Sequence, residues 1–287
     1  MNIIIVGTNG FIGSHVAAYF TANEKHNVHA LDWSPECIDK VQEVYQHNAI
    51  DVVINATGSA DVAKSVKMPG YDFEANVFFH FKLLDMIKHD ACKYIYFSSA
   101  SVYGNPQKMP VPETERIAPV SPYGWHKFYA EQMCKEFSSL YKAQTASLRL
   151  FSVFGPGQKK MLFFDLYNKC LLPSATVELQ GSGTDSRDFI YITDVVLAVE
   201  KILTSAPMKG ESYNIGSGIE RQIKDVATLF VSMAAPDKKI NFNGTSIPGY
   251  PSNWKADMQL MTDMGFEPQT SFEQGLKETI QWLKENV

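Results

Sequence analysis

Cysteine is scarce: there are four in 287 residues, Cys37, Cys92, Cys134 and Cys170, and no two form a CxxC pair. That spacing offers neither a disulfide framework nor a zinc cluster, so a metal-free protein with reduced thiols is expected, as in the cytoplasm. Nowhere do 18 apolar residues run together, and Met1-Asn2 leads straight into "IIIVG" without a charged leader, so neither a membrane span nor a secretory signal is expected. Positive charge is not in excess either. The net charge of -5 builds no basic field for nucleic acid or an anionic membrane surface. Internal repeats and low-complexity segments are absent, and 45% hydrophobic residues are enough for an ordered chain with a sizeable core.

What is present is an alternation. Short β-branched runs, "NIIIVG" at 2–7, "NVHALD" at 27–32, "DVVINAT" at 51–57, "KYIYFSS" at 93–99 and "TASLRLF" at 145–151, are separated by stretches of helical periodicity. Apolar runs of this kind predict a parallel sheet buried on both faces, that is, a doubly wound α/β domain. In "SPYGWHK", Ser121 is placed as a helix N-cap and Pro122 at the first helical position, which sets Tyr123 and Lys127 in the first two turns on one face. After about residue 152, glycine and proline interrupt the pattern in "FGPGQ", "GSGTDSRD", "NIGSG" and "SIPGYPSNW". These predict loops that close over a site more than a second independent core. The end returns to a helix, with Phe272, Leu276, Ile280 and Leu283 in register.

Gly7, Gly10 and Gly13 form GxxGxxG between the first strand and the first helix, where glycine lets the backbone approach a pyrophosphate and the helix N-terminus supplies amides. Asp32 ends the second strand, 19 residues beyond Gly13, where an acid accepts from ribose hydroxyls and repels a 2′-phosphate. NAD is therefore favoured over NADP. Tyr123 and Lys127 form the one YxxxK among 13 tyrosines. A tyrosine is a poor base near neutral pH, and an ammonium one turn away on the same face stabilises its phenolate. An arbitrary pair of this kind is more often a wet (i, i+4) contact. Ser98, Ser99 and Ser101 lie at the C-terminal end of a strand, either as hydroxyls for a substrate or as cap and turn residues.

In sequence order, "VGTNGFIGSH", "DVVINATG", "PGYDFEANVFFHFKLLDMIK", "YIYFSSASVYG", "SPYGWHKFYAEQ", "LRLFSVFGPGQ" and "GTDSRDFIYITDVV" resemble the NAD-dependent epimerase/dehydratase family, the extended short-chain dehydrogenases acting on nucleotide sugars. The resemblance implies a Rossmann domain over 1–152 carrying the catalytic residues. Residues 153–287 would form a small substrate-binding lobe, with some segments returning to the Rossmann sheet. It implies that Asn9, Phe11 and Ile12 join the glycines at the pyrophosphate, and that Ala56, Thr57, Gly58, Asn76 and Ser98 line the cofactor. Ser99 falls on the catalytic Ser/Thr, Tyr123 and Lys127 on YxxxK, and Phe151 beside the nicotinamide. Arg187 matches a diphosphate contact, with Ser101 and Ser152 toward the substrate; Asn214 and Gly216 match a loop whose role is mainly structural.

Departures narrow the chemistry. Ala100 and Ser101 stand where 4,6-dehydratases carry Asp-Glu, and Ser101 where GDP-fucose synthases carry a cysteine, so dehydration and C3/C5 epimerisation are disfavoured. Between Asp32 and Asp51 there is too little chain for the usual third strand. Ser152 replaces an asparagine, and near "SIPGYPSNW" a second phosphate-binding arginine is lacking. The expectation is an NAD-dependent nucleotide-sugar C4 epimerase working through a transient 4-keto sugar. The alternatives are a nucleotide 4-keto-sugar reductase or a non-catalytic NAD-sensing regulator. The family also implies a homodimer through helices at about 74–89 and 122–142, to which Phe78, Phe79, Phe81, Phe128 and Tyr129 would contribute apolar contact unless they face the sheet.

Overall fold

The structure, a computed structural model, describes residues 1–34, 36–245 and 253–287. The chain alternates β1 (Asn2–Val6), α1 (Phe11–Ala22), β2 (Asn27–Leu31), α2 (Cys37–His47), β3 (Val52–Asn55) and α3 (Val62–Lys67). Next, α4 (Pro69–Phe73) runs through a π-helical turn, Glu74–Phe78, into α5 (Phe79–Ile87). Then come β4 (Lys93–Ser99), a 3-10 turn over Ala100–Tyr103, α6 (Pro122–Tyr141) and β5 (Gln144–Leu150). The remainder is β6 (Ser152–Phe154), α7 (Met161–Leu171), β7 (Thr176–Leu179), β8 (Ser186–Tyr191), α8 (Ile192–Ser205), β9 (Lys209–Ile215), β10 (Glu220–Gln222), α9 (Ile223–Ala234), β11 (Lys239–Phe242), α10 (Gln259–Asp263) and α11 (Phe272–Asn286).

Six strands make one sheet in the order β2-β1-β3-β4-β5-β9, and every pairing in it is parallel. A parallel sheet needs cover on both faces, and the β-branched runs supply it. Ile3, Ile5, Ile54, Ile95 and Leu148 pack on one side with Val16, Phe20 and Val199. Ile4, Val6, Val53 and Tyr94 pack on the other with Leu83, Leu84, Ala130 and Phe137. Each such side chain taken out of water contributes about 1.5–3 kcal/mol. The strand order reverses between β1 and β3, and ligands of open α/β sheets bind in the crevice at such a point. Among the described residues the run from Asp32 to Asp51 holds α2 and no strand, and β2 is the sheet's edge.

The later residues do not build a core of their own. The cluster that holds Ile3 and Ile54 continues through Phe154, Phe163, Phe189, Phe272, Leu276 and Leu283. Phe154 sits 5.2 Å from Phe163 and 5.3 Å from Phe272, ring to ring. Two small sheets, β10-β8-β6 and β11-β7, lie over this aromatic packing. Asp188 on β8, fully buried, pins their loops by accepting from Ser217 N and Oγ, Gly218 N and Ala256 N.

Candidate active site

The turn from β1 to α1 depends on two glycines. Gly7 has φ +94, and a Cβ there would lie 2.7 Å from the Ala56 carbonyl oxygen. A Cβ on Gly13 would lie 2.1 Å from the Gly7 carbonyl oxygen, so only glycine lets α1 start this close to the strand. Gly10 caps α1 without any side-chain bond, which leaves the amides of its first turn available to an anion. At the end of β2, exposed Asp32 accepts from Thr8 Oγ1 at 2.8 Å. After β3, Asn55 Oδ1 accepts from Thr57 N at 3.0 Å and Thr57 Oγ1 at 2.6 Å, and Asn55 Nδ2 donates to Tyr94 OH at 2.8 Å. Tyr94 in turn reaches His80, whose Nε2 bonds the Ala130 carbonyl. Burial lowers that imidazole to about 3, so it stays neutral and accepts at Nδ1.

Tyr123 and Lys127 are placed by the start of α6. Ser121 Oγ accepts from Gly124 N at 3.2 Å, and Ser65 Oγ accepts from Tyr123 N at 3.2 Å, so two donors that a helix leaves open are bonded at the tyrosine and its neighbour. Gly124 allows α6 to press on the 3-10 turn, because a Cβ there would lie 2.7 Å from the Ser101 carbonyl oxygen. Burial pushes the Tyr123 phenol up to about 12, the Ser99 hydroxyl beside it pulls it down and Asp72 pushes it up. Lys127 Nζ donates to the Phe97 carbonyl at 2.8 Å and lies 5.8 Å from the Tyr123 ring centre. Burial lowers Lys127 to about 8, against support from Asp72 and Glu131. Asn76, on the π-helical turn, completes the floor with a buried Oδ1 that has no protein partner. A side chain beginning at Gly58 would meet that oxygen at 2.3 Å and Lys127 Nζ at 3.4 Å.

Two of the expected ligands have side chains bonded within the protein. Asn9 donates to the Trp33 carbonyl and accepts from the Trp33 amide, both at 3.2 Å, so its side chain pins the exit of β2 instead of reaching for a phosphate. The Ser98 hydroxyl donates to Glu131 at 2.5 Å inside a buried network. There Glu131 accepts from Arg149 at 2.7 Å, Arg149 donates to Tyr103 OH at 2.8 Å, and Tyr103 donates to Asn214 at 2.6 Å. Ser101 keeps its place beside Ser99, with a buried hydroxyl lacking a protein partner. Ser152 opens β6, half-buried, and Phe11 and Ile12 begin α1.

Phe151 is buried and stands edge-on to Trp254 at 6.2 Å. Trp254 also carries Arg187 over its ring at 5.4 Å and donates from Nε1 to the Gly104 carbonyl at 3.4 Å. It thus joins three separately expected segments, and in sequence it was marked only as the end of "SIPGYPSNW", one of the loops expected to close over a site. The stretch "SIPGYPS", where a second phosphate-binding arginine was expected to be lacking, lies outside the described residues.

Residues 3–216 match the profile of the NAD dependent epimerase/dehydratase family. The chain is 26% identical over 252 residues to the UDP-glucuronate 4-epimerase of Thermodesulfobacterium geofontis, covering 86% of this chain and 76% of that one. Its fold matches the UDP-glucuronic acid 4-epimerase of Bacillus cereus, solved in complex with UDP-glucuronic acid and NAD, at a TM-score of 0.91 with 26% identity over 100% of both chains. It also matches the UDP-glucose 4-epimerase of Thermotoga maritima, solved with UDP-glucose, at 0.90 with 25% identity over 99% of each.

Proposed function

The chain belongs to the NAD-dependent epimerase/dehydratase family, and on that premise we propose that it epimerises a nucleotide sugar at C4, with Tyr123 as the acid/base. The observation that carries this reading is the meeting of Ser99, Tyr123 and Lys127 at the rim of a crevice whose floor is too tight for any side chain at Gly58.

The residues fit NAD. The cramped glycine turn, the open amides of α1, exposed Asp32 at the ribose position and the unpartnered Asn76 oxygen are features that a dinucleotide would use. Gly7, Gly10, Phe11, Ile12 and Gly13 would hold the pyrophosphate, Asp32 the adenosine ribose, and Ala56, Thr57, Gly58, Asn76, Lys127 and Phe151 the nicotinamide half. NAD, when bound, supplies a reversible two-electron oxidant for a secondary alcohol.

The chain's own residues handle the proton. Tyr123 as phenolate takes the proton of the C4 hydroxyl, and Ser99 holds the oxygen as it becomes a ketone. Lys127 stabilises the phenolate. Arg187, laid over Trp254, would hold the diphosphate while the 4-keto sugar turns its other face. Tyr123 then returns the proton to the same oxygen. Residues 1–152 would carry the cofactor and these groups, and 153–287 the substrate lobe with Ser101 and Ser152 at the boundary. The relatives' substrates make UDP sugars the first to try.

Incubation with UDP-, dTDP-, GDP- and CDP-sugars in deuterated water tests the reaction. The expected product is the C4 epimer without solvent deuterium, from protein that releases NAD on unfolding. Deuterium in the product, or net consumption of reduced cofactor, would overturn C4 epimerisation.

The same reading includes a homodimer in the cytoplasm, with the four free cysteines all buried. Among the described residues no helix is long and apolar enough to cross a membrane. Phe78, Phe81, Trp125 and Tyr129 stand 41–45% exposed along the π-helical turn, α5 and α6, and support a four-helix contact between copies. Phe79 is buried against the sheet, and half-buried Phe128 packs on the 3-10 turn, so neither belongs to that surface. Phe81→Glu is expected to give a monomer in sedimentation; an unchanged mass would remove this face from the interface.

A further inference from the structure

His126 directly precedes Lys127, yet its imidazole turns to α4, where Nδ1 lies 2.6 Å from Asp72 Oδ2. The two side chains are 11% and 1% exposed. Phe73 packs on the imidazole with ring centres 5.4 Å apart and planes at 86°. The second oxygen, Asp72 Oδ1, is buried and without a protein partner. A carboxylate this far out of water needs a counter-charge, and its field carries further than at the surface.

The ionisable groups on the elements around the pair can be followed one by one. On α3, Lys64 sits over the Tyr71 ring, and Asp61 caps the helix through Lys64 N. On β4, Tyr96 is fully buried. On the π-helical turn and α5, Glu74 is exposed and His80 is held neutral. On α6, Glu131 is taken up by Arg149, and the half-exposed Tyr129 ring lies 6.2 Å from that of His126. Tyr123 and Lys127 remain, and both feel Asp72: the carboxylate supports the lysine's charge and opposes the tyrosine's loss of a proton. His126 is the one cation-forming group in direct contact with it among the described residues.

We propose that Asp72 and His126 are a positioning pair, in which the His126 imidazole engages the buried carboxylate, so that Asp72 braces α4 against the start of α6 and its opposition to the loss of Tyr123's proton is tempered. This rests on Tyr123 being the acid/base of the reaction. Neither residue touches the substrate; both act through Tyr123 and Lys127.

The test is the pH dependence of turnover at saturating substrate for His126→Asn, Asp72→Asn and the double variant, beside an NMR titration of Tyr123 carrying 13C at its ring ζ-carbon. His126→Asn keeps a donor near Nδ1 but removes the imidazole, and is expected to move the acidic limb and the Tyr123 titration upward by on the order of one pH unit. Asp72→Asn is expected to move both downward by a similar amount, and the double variant to fall between. A merely structural pair would lower turnover in each variant without opposite shifts. Shifts of one sign, or none, would overturn the proposal. Should Asp72→Asn fail to fold, the upward shift of His126→Asn decides alone. Tyr123→Phe serves as the control for the premise: retained turnover there removes the acid/base reading, while the NMR titration still reports whether the pair sets the phenol's charge state.

Discussion

Replacing Lys127 by Met removes one charge from a place where its effect can be worked out. The ammonium nitrogen lies 5.8 Å from the centre of the Tyr123 ring. Two unit charges at about 6 Å in an effective dielectric near 20 interact by about 3 kcal/mol, or about 2 pH units. Burial and Asp72, against Ser99, push the phenol up to about 12, and the ammonium works against this by about the same 2 pH units. Lys127 itself gives up its proton near pH 8. The two titrate as a pair: phenolate with ammonium and phenol with neutral amine hold the same number of protons, so their ratio does not change with pH. Turnover of the native protein should therefore rise tenfold per unit up to about pH 8 and then level off, with about one pair in a hundred in the reactive form before any contribution from bound NAD.

In Lys127→Met the phenol titrates alone. At pH 7 turnover is expected to fall about 100-fold, and the rise with pH should continue well past the native plateau. The assay is the initial rate of C4 epimer formation from pH 6 to 10, at NAD and substrate levels that saturate each protein, so that weakened ribose binding does not enter. A variant profile that levels off at the same pH as the native one, or that loses only a few-fold at pH 7, would refute the electrostatic role of Lys127.

The same variant makes a stability prediction. The lysine is lowered from 10.5 to about 8, so below pH 8 both folded and unfolded chains hold the proton and only the folded one bears a buried charge. Lys127→Met should thus be the more stable protein below pH 8, by on the order of 3 kcal/mol, with the gap closing toward pH 10.5 as the native fold sheds its proton; urea melts of both proteins showing a pH-independent gap would refute it. Glu131→Gln strands Arg149, which is 3% exposed as a side chain, and should cost about 3–5 kcal/mol in thermal or urea unfolding, since a lone buried charge remains. A loss under 1 kcal/mol would show that Tyr103 and the Glu113 carbonyl suffice for the guanidinium. Gly13→Ala sets a methyl 2.1 Å from a backbone oxygen; displacement of α1 should cost about 3 kcal/mol and weaken NAD at least tenfold by calorimetry, and unchanged binding would separate the turn from the cofactor.

The sheet was legible because its signal is local. Strands buried on both faces read as unbroken β-branched runs, and all five runs fall on β1 to β5 to within two residues at either end. The start of α6 was legible for the same reason: Ser121, Pro122 and Gly124 act within one turn of Tyr123. What sequence could not give depends on partners far along the chain. Ser98 is turned by Glu131, 33 residues on, and Asn9 by Trp33, 24 residues on. Trp254 meets Phe151, Arg187 and Gly104 only after the chain has folded back over the crevice. His126 was the unexplained member of its motif because Asp72, which accounts for its orientation, lies 54 residues earlier. The shortage of chain between Asp32 and Asp51 was readable as a count, and its consequence, a sheet ending at β2, follows from the topology.

The packing around Ala100 bears on the choice among the family's reactions. A dehydratase needs an acid poised to expel a hydroxyl, and Ala100 and Ser101 occupy the positions expected for such acids. Ala100 is fully buried in a cluster with Val102, Tyr103, Val111, Phe151 and Ala256. A carboxylate introduced there would be driven among apolar side chains and would have to be neutral or displace them. Three acids are engaged elsewhere: Glu131 by Arg149 and Ser98, Asp188 by the amides of Ser217, Gly218 and Ala256, and half-buried Glu113 by the amide of Asn214. The 3-10 turn is thus packed for small and apolar groups, not a dehydratase turn lacking a single residue. On the proposed reading, a 4-keto sugar formed here would meet Tyr123 on the oxygen from which the proton came, and returning that proton after the sugar has turned would complete a C4 inversion.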